Sequence, residues 1–197
     1  ASLLEPLTTG LQAVRLGSAG PTTRSAIVVG AGMIGLATIV GLKAYGVQRI
    51  AAVDLDASRL EEAKEFGADA VLEAGQITAK QLAEWGASSA DTDGADLVLE
   101  AVGAAASVET AIHAVTRGGT VVLIGNVSPS VELPLQTVVT RQIRLQGSCA
   151  SAGCYPEAIE LAASGSVDLS RFVSRIAPLN DGADWFERLH KREPGIL

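Results

Sequence analysis

The sequence predicts an α/β fold: a doubly wound, parallel, six-stranded sheet with helices on both faces. Two observations lead to this prediction. Short runs of strand-forming residues alternate with stretches of helical periodicity from about residue 24 to about residue 150, and glycine marks the short turns between them. The chain is 48% hydrophobic but only 4% aromatic. Its core must therefore be built from Ala, Val, Ile and Leu, which suits a sheet that is buried on both faces.

The predicted strands are short apolar runs, many of them rich in β-branched residues. They cover residues 26–29, 50–53, 70–72, 97–102, 120–124 and 143–146. The helices between them carry apolar residues at helical spacing, and they cover residues 33–45, 58–66, 78–85 and 107–115. Thr78 is the expected N-cap of the third of these helices, Gly67 ends the second, and Gly118–Gly119 end the fourth. We expect residues 1–197 to form one nucleotide-binding domain, with a lead-in helix in 1–23 and helices in 151–197.

Charge and hydropathy argue against several classes of partner. The formal net charge is −7 and the basic residues are scattered, so binding to nucleic acid or to an anionic membrane surface is not expected. No stretch of about 18 charge-free apolar residues predicts a transmembrane helix, and the first residues lack the pattern of a signal peptide. Cys149 and Cys154 form no CxxC pair; we expect two reduced thiols in a cytoplasmic protein.

A glycine-rich turn follows the first predicted strand. Residues 30–35 form a GxGxxG pattern between a strand and a helix, and an acid follows 19 residues after the last glycine. Gly30 allows the sharp turn, Gly32 lets the backbone approach a pyrophosphate, and Gly35 lets the helix pack closely on the strand. The first-turn amides, near Met33 and Ile34, would point at the phosphates with the helix dipole behind them. This context predicts a Rossmann-type dinucleotide site; a purely structural turn is the alternative.

Asp54 ends the second predicted strand and is the acid at the expected spacing. Its carboxylate can accept hydrogen bonds from both hydroxyls of the adenosine ribose, whereas a 2′-phosphate there would meet a like charge. Leu55 and Asp56 supply no cation for such a phosphate. The sequence therefore favours NAD over NADP. Asp54 could also cap the following helix, and the two roles are compatible.

These motifs, with their neighbours, resemble the zinc-dependent medium-chain alcohol and polyol dehydrogenases, and in particular the sorbitol, threonine and butanediol dehydrogenase branch. The resemblance extends over nearly the whole chain and is carried by residues 4–10, 28–35, 53–60, 100–103 and 119–125. It implies the cofactor domain of an enzyme that transfers hydride between a primary or secondary alcohol and NAD.

The resemblance also implies contacts to each half of the cofactor. Arg59 would lie on the adenosine ribose and Val102 on the adenine side. The residues near the nicotinamide and its carboxamide would be Thr9, Gly125, Asn126, Ser148 and Cys149, mostly through backbone groups. The alternative is an ordinary exposed helix cation for Arg59, and simple strand ends for Ser148 and Cys149.

Glu5 would belong, by the same resemblance, to the environment of the catalytic zinc, as a direct or water-mediated ligand. One carboxylate cannot hold zinc alone, and a solvated charge is the alternative. In the family, the other ligands come from a GroES-like catalytic domain, which we expect to be absent here; His113 and His190 have no partner at ligand spacing. We therefore expect zinc only in the intact family enzyme, and no turnover by this chain alone.

Two other functions are compatible with much of the sequence. One is a zinc-free quinone or enoyl reductase that uses NADPH, against which Asp54 and the Glu5-Pro6-Leu7 segment count. The other is a non-catalytic NAD-sensing module, which leaves that segment unexplained. The family also predicts a homo-oligomer that forms through the last strand, at residues 143–146.

Overall fold

The computed structural model describes residues 2–87, 92–191 and 193. Its strands form one parallel sheet in the order β3-β2-β1-β4-β5-β6. The strands are β1 (Ala26–Val29), β2 (Ile50–Asp54), β3 (Ala70–Glu73), β4 (Ala95–Glu100), β5 (Val115–Leu123) and β6 (Arg144–Gly147). The helices are α1 (Leu4–Leu16), α2 (Met33–Ala44), α3 (Ala57–Glu65), α4 (Ala79–Gly86), α5 (Ala105–Ala114), α6 (Leu135–Thr140), α7 (Tyr155–Ala163) and α8 (Gly182–His190), with short 3-10 turns at Leu169–Phe172 and Leu179–Asp181. The predicted six-stranded, doubly wound sheet is confirmed.

The side chains of β1 show why helices cover both faces of the sheet. Ala26 and Val28 point into one apolar cluster, and Ile27 and Val29 point into another, as the pleat of a strand requires. Helices α1, α2 and α3 supply the first cluster, and α4 and α5 supply the second. Because β1 lies between β2 and β4, the chain reverses its winding direction beside this strand.

Helix α1 crosses α2 closely through small residues. A Cβ at Gly10 would lie 2.6 Å from the carbonyl carbon of Ala37, and one at Gly41 would lie 3.2 Å from Val14 Cγ2. Gly10 meets Ala37, and Val14, one turn later, meets Gly41. The two helices therefore run in the same direction. The beginning of α1, which carries Glu5, therefore lies at the end of the fold where α2 begins.

Several predicted boundaries are wrong near β4 and β5. Strand β4 ends at Glu100 rather than at residue 102, because the Glu100 carboxylate accepts hydrogen bonds from the amides of Val102 and Gly103 and turns the chain there. Helix α5 ends at Ala114, and Val115 already pairs with Ala95. The glycines at 118–119 thus lie within a bulged β5 instead of ending the helix, and Gly118 takes a φ of +73°.

The remaining elements fit the expectations within a few residues. Thr78 is the N-cap of α4, in a capping box with Gln81, and Gly67 follows α3 with a φ of +109°. Helix α6 was not predicted, because its six residues are too short to show a periodicity. Among the residues that the structure describes, no helix has both the length and the apolar character needed to cross a bilayer.

Candidate cofactor-binding site

The three glycines of the turn between β1 and α2 have different surroundings. Gly30 has a φ of +96°, which favours glycine, and a Cβ there would lie 2.7 Å from Val102 Cγ2. A Cβ at Gly35 would overlap the carbonyl oxygen of Gly30, so this position brings helix and strand together. At Gly32 the nearest atom to an added Cβ would be Arg59 Nη1, at 3.9 Å. The fold itself therefore requires glycine at two of these positions and leaves open space at the third.

The open space at Gly32 lies directly before the first turn of α2. Gly32 is the N-cap of this helix and has no side chain to satisfy the first amides. The amides of Met33 and Ile34 lie in the first turn of α2 and have no acceptors within the helix. Free amides at a helix N-terminus with room in front of them form a setting that suits an anionic group.

The Asp54 carboxylate is held in place from both sides. One oxygen, Oδ2, accepts a hydrogen bond from the Ala31 amide at 2.7 Å, and Oδ1 accepts one from the Asp56 amide at 3.0 Å. Each oxygen keeps lone-pair capacity for a further donor. Asp56, not Asp54, is the N-cap of α3: its carboxylate accepts from the Ser58 amide at 2.8 Å, and the hydrogen bonds from Ser58 lower the pKa of Asp56.

A cavity of about 430 Å³ opens beside Asp54 at the carboxyl ends of β1, β2 and β4. Arg59 and Val102, which the resemblance assigns to the adenosine half of a cofactor, are among the residues that line it. It also has a wall from α5 and its N-cap, formed in part by Ala104, Ser107 and Thr110, which the sequence did not indicate because no motif marks these residues. The volume is in the range of small-molecule sites, and the position is the topological switch point, where open α/β sheets bind their ligands.

The residues predicted at the nicotinamide side follow the two neighbouring strands β5 and β6. Gly125 and Asn126 come after β5, and Ser148 and Cys149 come after β6; the Ser148 amide donates to the Leu123 carbonyl at 2.8 Å. The Ser148 hydroxyl oxygen is buried and has no hydrogen-bond partner among the described residues. A polar ligand group at this position would satisfy it.

A buried carboxylate, missed by the sequence analysis, ties the ends of β4 and β5 together. Glu100 is fully buried, and its carboxylate accepts hydrogen bonds from the amides of Val102 and Gly103 at 2.8 and 2.9 Å. Its own carbonyl accepts from the amides of Ile124 and Gly125. The signal that could have indicated this role is an acid at the end of a strand with a glycine shortly after it. Glu100 and Gly103 have this arrangement, whereas no glycine follows Asp54 so closely. Glu100 thus fixes both Val102 at the cavity and Gly125 beyond it.

Glu5 and Thr9 lie in the first half of α1, towards the end of the fold where α2 begins. The Glu5 side chain is exposed, and the Thr9 hydroxyl lies 3.3 Å from the Glu5 carbonyl oxygen and 3.4 Å from its Oε1. Within residues 2–87, 92–191 and 193, no group of three or more His, Cys, Asp or Glu side chains could hold a metal ion. His113 faces Glu109 one turn away on α5, at 3.9 Å. These described residues do not fit a zinc site.

The strand order and the glycine turn are those of Rossmann-type dinucleotide-binding domains. Comparison with known proteins agrees. A family model described as zinc-binding dehydrogenase matches residues 34–164. Sorbitol dehydrogenase from Mus musculus is 34% identical over 190 residues, which cover 96% of this chain and 53% of the relative.

Solved structures show the same likeness. Alcohol dehydrogenase TADH from Thermus sp. ATN1 aligns with a TM-score of 0.86 at 30% identity, over 95% of this chain and 53% of that one. The 2R,3R-butanediol dehydrogenase from Bacillus subtilis aligns with a TM-score of 0.87 at 26% identity, over 98% and 55%. The chain belongs to the zinc-binding dehydrogenase family, and it spans about half the length of the curated relatives that it matches.

Proposed function

We propose that this chain binds NAD(H) as the cofactor half of a zinc-dependent alcohol or polyol dehydrogenase. The observation that carries the proposal is the open space at Gly32, in front of the α2 amides and beside the Asp54 cavity. Sequence motifs that served only the fold would not need glycine at a position where an added Cβ meets nothing closer than 3.9 Å.

The cofactor would lie across the carboxyl ends of the strands. Adenosine occupies the cavity, with its ribose hydroxyls donating to Asp54, and the pyrophosphate lies at Gly32. Arg59 lines the cavity and also faces the phosphate position, since its Nη1 is the atom nearest to Gly32. The nicotinamide lies beyond, near Gly125, Asn126, Ser148, Cys149 and Thr9. The cofactor supplies the hydride chemistry, and these residues bind and orient it.

The charges around the cavity support NAD rather than NADP. Asp54 and Asp56 both line it, and Leu55 between them is 77% exposed and carries no charge. A 2′-phosphate in this place would face two carboxylates against the one guanidinium of Arg59, whereas ribose hydroxyls find a charged acceptor fixed by the Ala31 amide.

The test exchanges this charge pattern. The double variant Asp54→Gly, Leu55→Arg should weaken NADH and strengthen NADPH, because each lost hydrogen bond to a charged acceptor is worth roughly 1.5–3 kcal/mol. The single variant Leu55→Arg is the matched control for the added cation, and it should keep the preference for NADH. Calorimetric titration of each protein with both cofactors measures the preference. A wild type that already binds NADPH more tightly overturns the assignment of Asp54.

Turnover requires more than the described residues provide. Glu5 alone cannot hold zinc, so the other ligands and the alcohol pocket would come from further parts of a longer protein. We expect this chain to bind NADH and to show no NAD reduction above background with ethanol, sorbitol, butanediol or threonine in the presence of zinc. Zinc-dependent turnover by the purified chain would contradict this division of labour.

The proposed assembly is a homo-oligomer formed through β6. This strand is the last of the sheet, and its outer edge has no neighbouring strand among the described residues. Helix α6 beside it exposes Leu135 (67%) and Val139 (65%), so pairing of two copies would cover both the edge and apolar surface.

The free thiols Cys149 and Cys154 favour a reducing compartment such as the cytoplasm.

A further inference from the structure

The loop of residues 148–154 joins β6 to α7 and carries Ser148 and Cys149, which the proposed function places beside the nicotinamide. Its first residue is held by the sheet, since the Ser148 amide donates to the Leu123 carbonyl. Beyond that point the loop leaves the sheet, and Ala150 and Gly153 take φ values of +55° and +75°. The position of its middle part must therefore be set by contacts with another element.

A polar cluster at the side of α1 supplies those contacts. Arg15, in the last turn of α1, donates from Nη2 to the Ala152 carbonyl at 2.6 Å and to Gln12 Oε1 at 2.7 Å. The Cys154 thiol donates to the same Gln12 oxygen at 3.4 Å. The Gln12 oxygen thus accepts hydrogen bonds from both the guanidinium and the thiol, and the guanidinium also donates to the loop backbone.

Only one side of the cluster is shielded from water, since Arg15 and Ala152 are exposed. Cys154 is fully buried and Gln12 is buried. Burial also raises the pKa of the Cys154 thiol, which keeps it protonated and able to donate. An unpaired polar group at Gln12 or Cys154 is costly, so this buried contact favours a single position of the Cys154 end of the loop, and the exposed Arg15 contact adds a second attachment at Ala152.

We propose that Arg15 and Gln12 are positioning residues for the nicotinamide half of the cofactor, acting through the Ala152 carbonyl and the Cys154 thiol on loop 148–154. The inference rests on the proposed function, and it names residues of α1 that no cofactor motif contains. Neither side chain needs to touch the cofactor. The adenosine half is held by Asp54 and the glycine turn, which lie on other elements, so the cluster acts on one half only.

The test separates the two halves of the ligand. Arg15→Met keeps much of the apolar stem and removes both hydrogen bonds. It should weaken NADH by about tenfold, the effect of one or two lost hydrogen bonds, and leave ADP-ribose, which lacks the nicotinamide, within about twofold of the wild type. The matched control is Arg24→Met, which removes the same charge from the Arg24–Asp96 pair (3.1 Å) at the amino ends of β1 and β4, where the hydrogen bonds of the Arg24 side chain go to Asp96 and not to loop 148–154. It should change neither affinity.

Cysteine alkylation followed by mass spectrometry gives a second readout that does not depend on affinity. In the wild type, exposed Cys149 should react and buried Cys154 should not; NADH, but not ADP-ribose, should protect Cys149. In Arg15→Met, Cys154 should become reactive and the protection of Cys149 should be lost. If Arg15→Met does not fold, Arg15→Lys takes its place, because the shorter lysine side chain does not bring its ammonium to the position of Nη2, which contacts both oxygens.

The outcomes are distinguishable. A wild type that binds neither NADH nor ADP-ribose refutes the proposed function itself. A wild type that binds both, with a folded Arg15 variant that loses both equally or loses neither, refutes only the positioning role. Failure of NADH to protect Cys149 in the wild type also refutes it, since the loop would then not face the nicotinamide.

Discussion

Two glycines of the same turn should respond in opposite ways to the same added methyl group. In Gly32→Ala the Cβ enters open space, with Arg59 Nη1 as the nearest atom at 3.9 Å, and the backbone has an ordinary φ of −75°. In Gly35→Ala the Cβ overlaps the Gly30 carbonyl oxygen. The first change should therefore leave folding intact and block the ligand, whereas the second should damage the fold.

The magnitudes follow from these surroundings. Overpacking at Gly35 should cost about 1–3 kcal/mol or more, partly offset by about 1 kcal/mol of helix propensity. At Gly32 the free energy of unfolding should stay within about 1 kcal/mol of the wild type, because the lower entropy of the unfolded chain and a weaker N-cap roughly balance. Displacing the pyrophosphate from two amides costs roughly 1.5–3 kcal/mol for each charged hydrogen bond, which amounts to at least about 100-fold in NADH affinity.

Thermal melts and calorimetry with NADH measure both quantities on the same samples. Gly32→Ala should melt like the wild type and lose NADH binding. Gly35→Ala should melt several degrees lower, since about 1 kcal/mol corresponds to roughly 2–4 °C for a chain of this size. If Gly32→Ala binds NADH as the wild type does, the open space is not the pyrophosphate position and the reasoning fails.

Three further predictions concern pH, a helix cap and assembly. Burial and a hydrogen bond with Glu157 raise the pKa of Tyr45 from 10.0 to about 12. Because the pKa is higher in the folded state, the contribution of Tyr45 to the free energy of unfolding is fully present below about pH 10 and is lost as the pH rises towards 12. Tyr45→Phe should remove the phenolate absorbance step near pH 12 and flatten the alkaline loss of stability, whereas an unchanged step would contradict the assignment. Thr78→Ala should cost about 1 kcal/mol in urea unfolding, since it removes the capping box of α4, and a change near zero would mean that this helix end is satisfied otherwise. Val139→Lys should shift light scattering towards the monomer, because Val139 is exposed beside the β6 edge; a wild type that is strictly monomeric at high concentration would refute the proposed interface.

Local patterns were sufficient to predict most of the sheet. β1 has the apolar run AIVV and is followed at once by glycine, so both its type and its end were visible in the sequence. The boundaries failed where particular contacts set them: the end of β4 depends on hydrogen bonds between the Glu100 carboxylate and the amides that follow it, and the start of β5 depends on pairing between Val115 and Ala95. The periodicity of apolar residues contains neither a side-chain hydrogen bond nor the pairing of two separate elements.

In the candidate site, too, the sequence predicted the residues of one local motif and not the contacts between separate elements. Asp54 and the glycine turn were predicted because fixed spacing along one βαβ unit places them together, and the structure brings Asp54, Arg59 and Val102 to one cavity. The wall from α5 and the contact between Arg15 and Ala152 were not predictable, since each depends on how separate elements pack. Arg15 and Ala152 are 137 residues apart, and neither belongs to a motif.

The close crossing of α1 and α2 has a mechanical consequence for any longer protein that contains this chain. With Gly10 against the Ala37 backbone and the residues from Leu7 to Val14 buried, α1 has little room to slide or tilt relative to α2. Glu5 and the glycine turn would then move together as one rigid unit whenever other parts of such a protein open or close. The distance between Glu5 and the glycine turn would stay constant during such a motion, while the distances from Glu5 to those other parts would change.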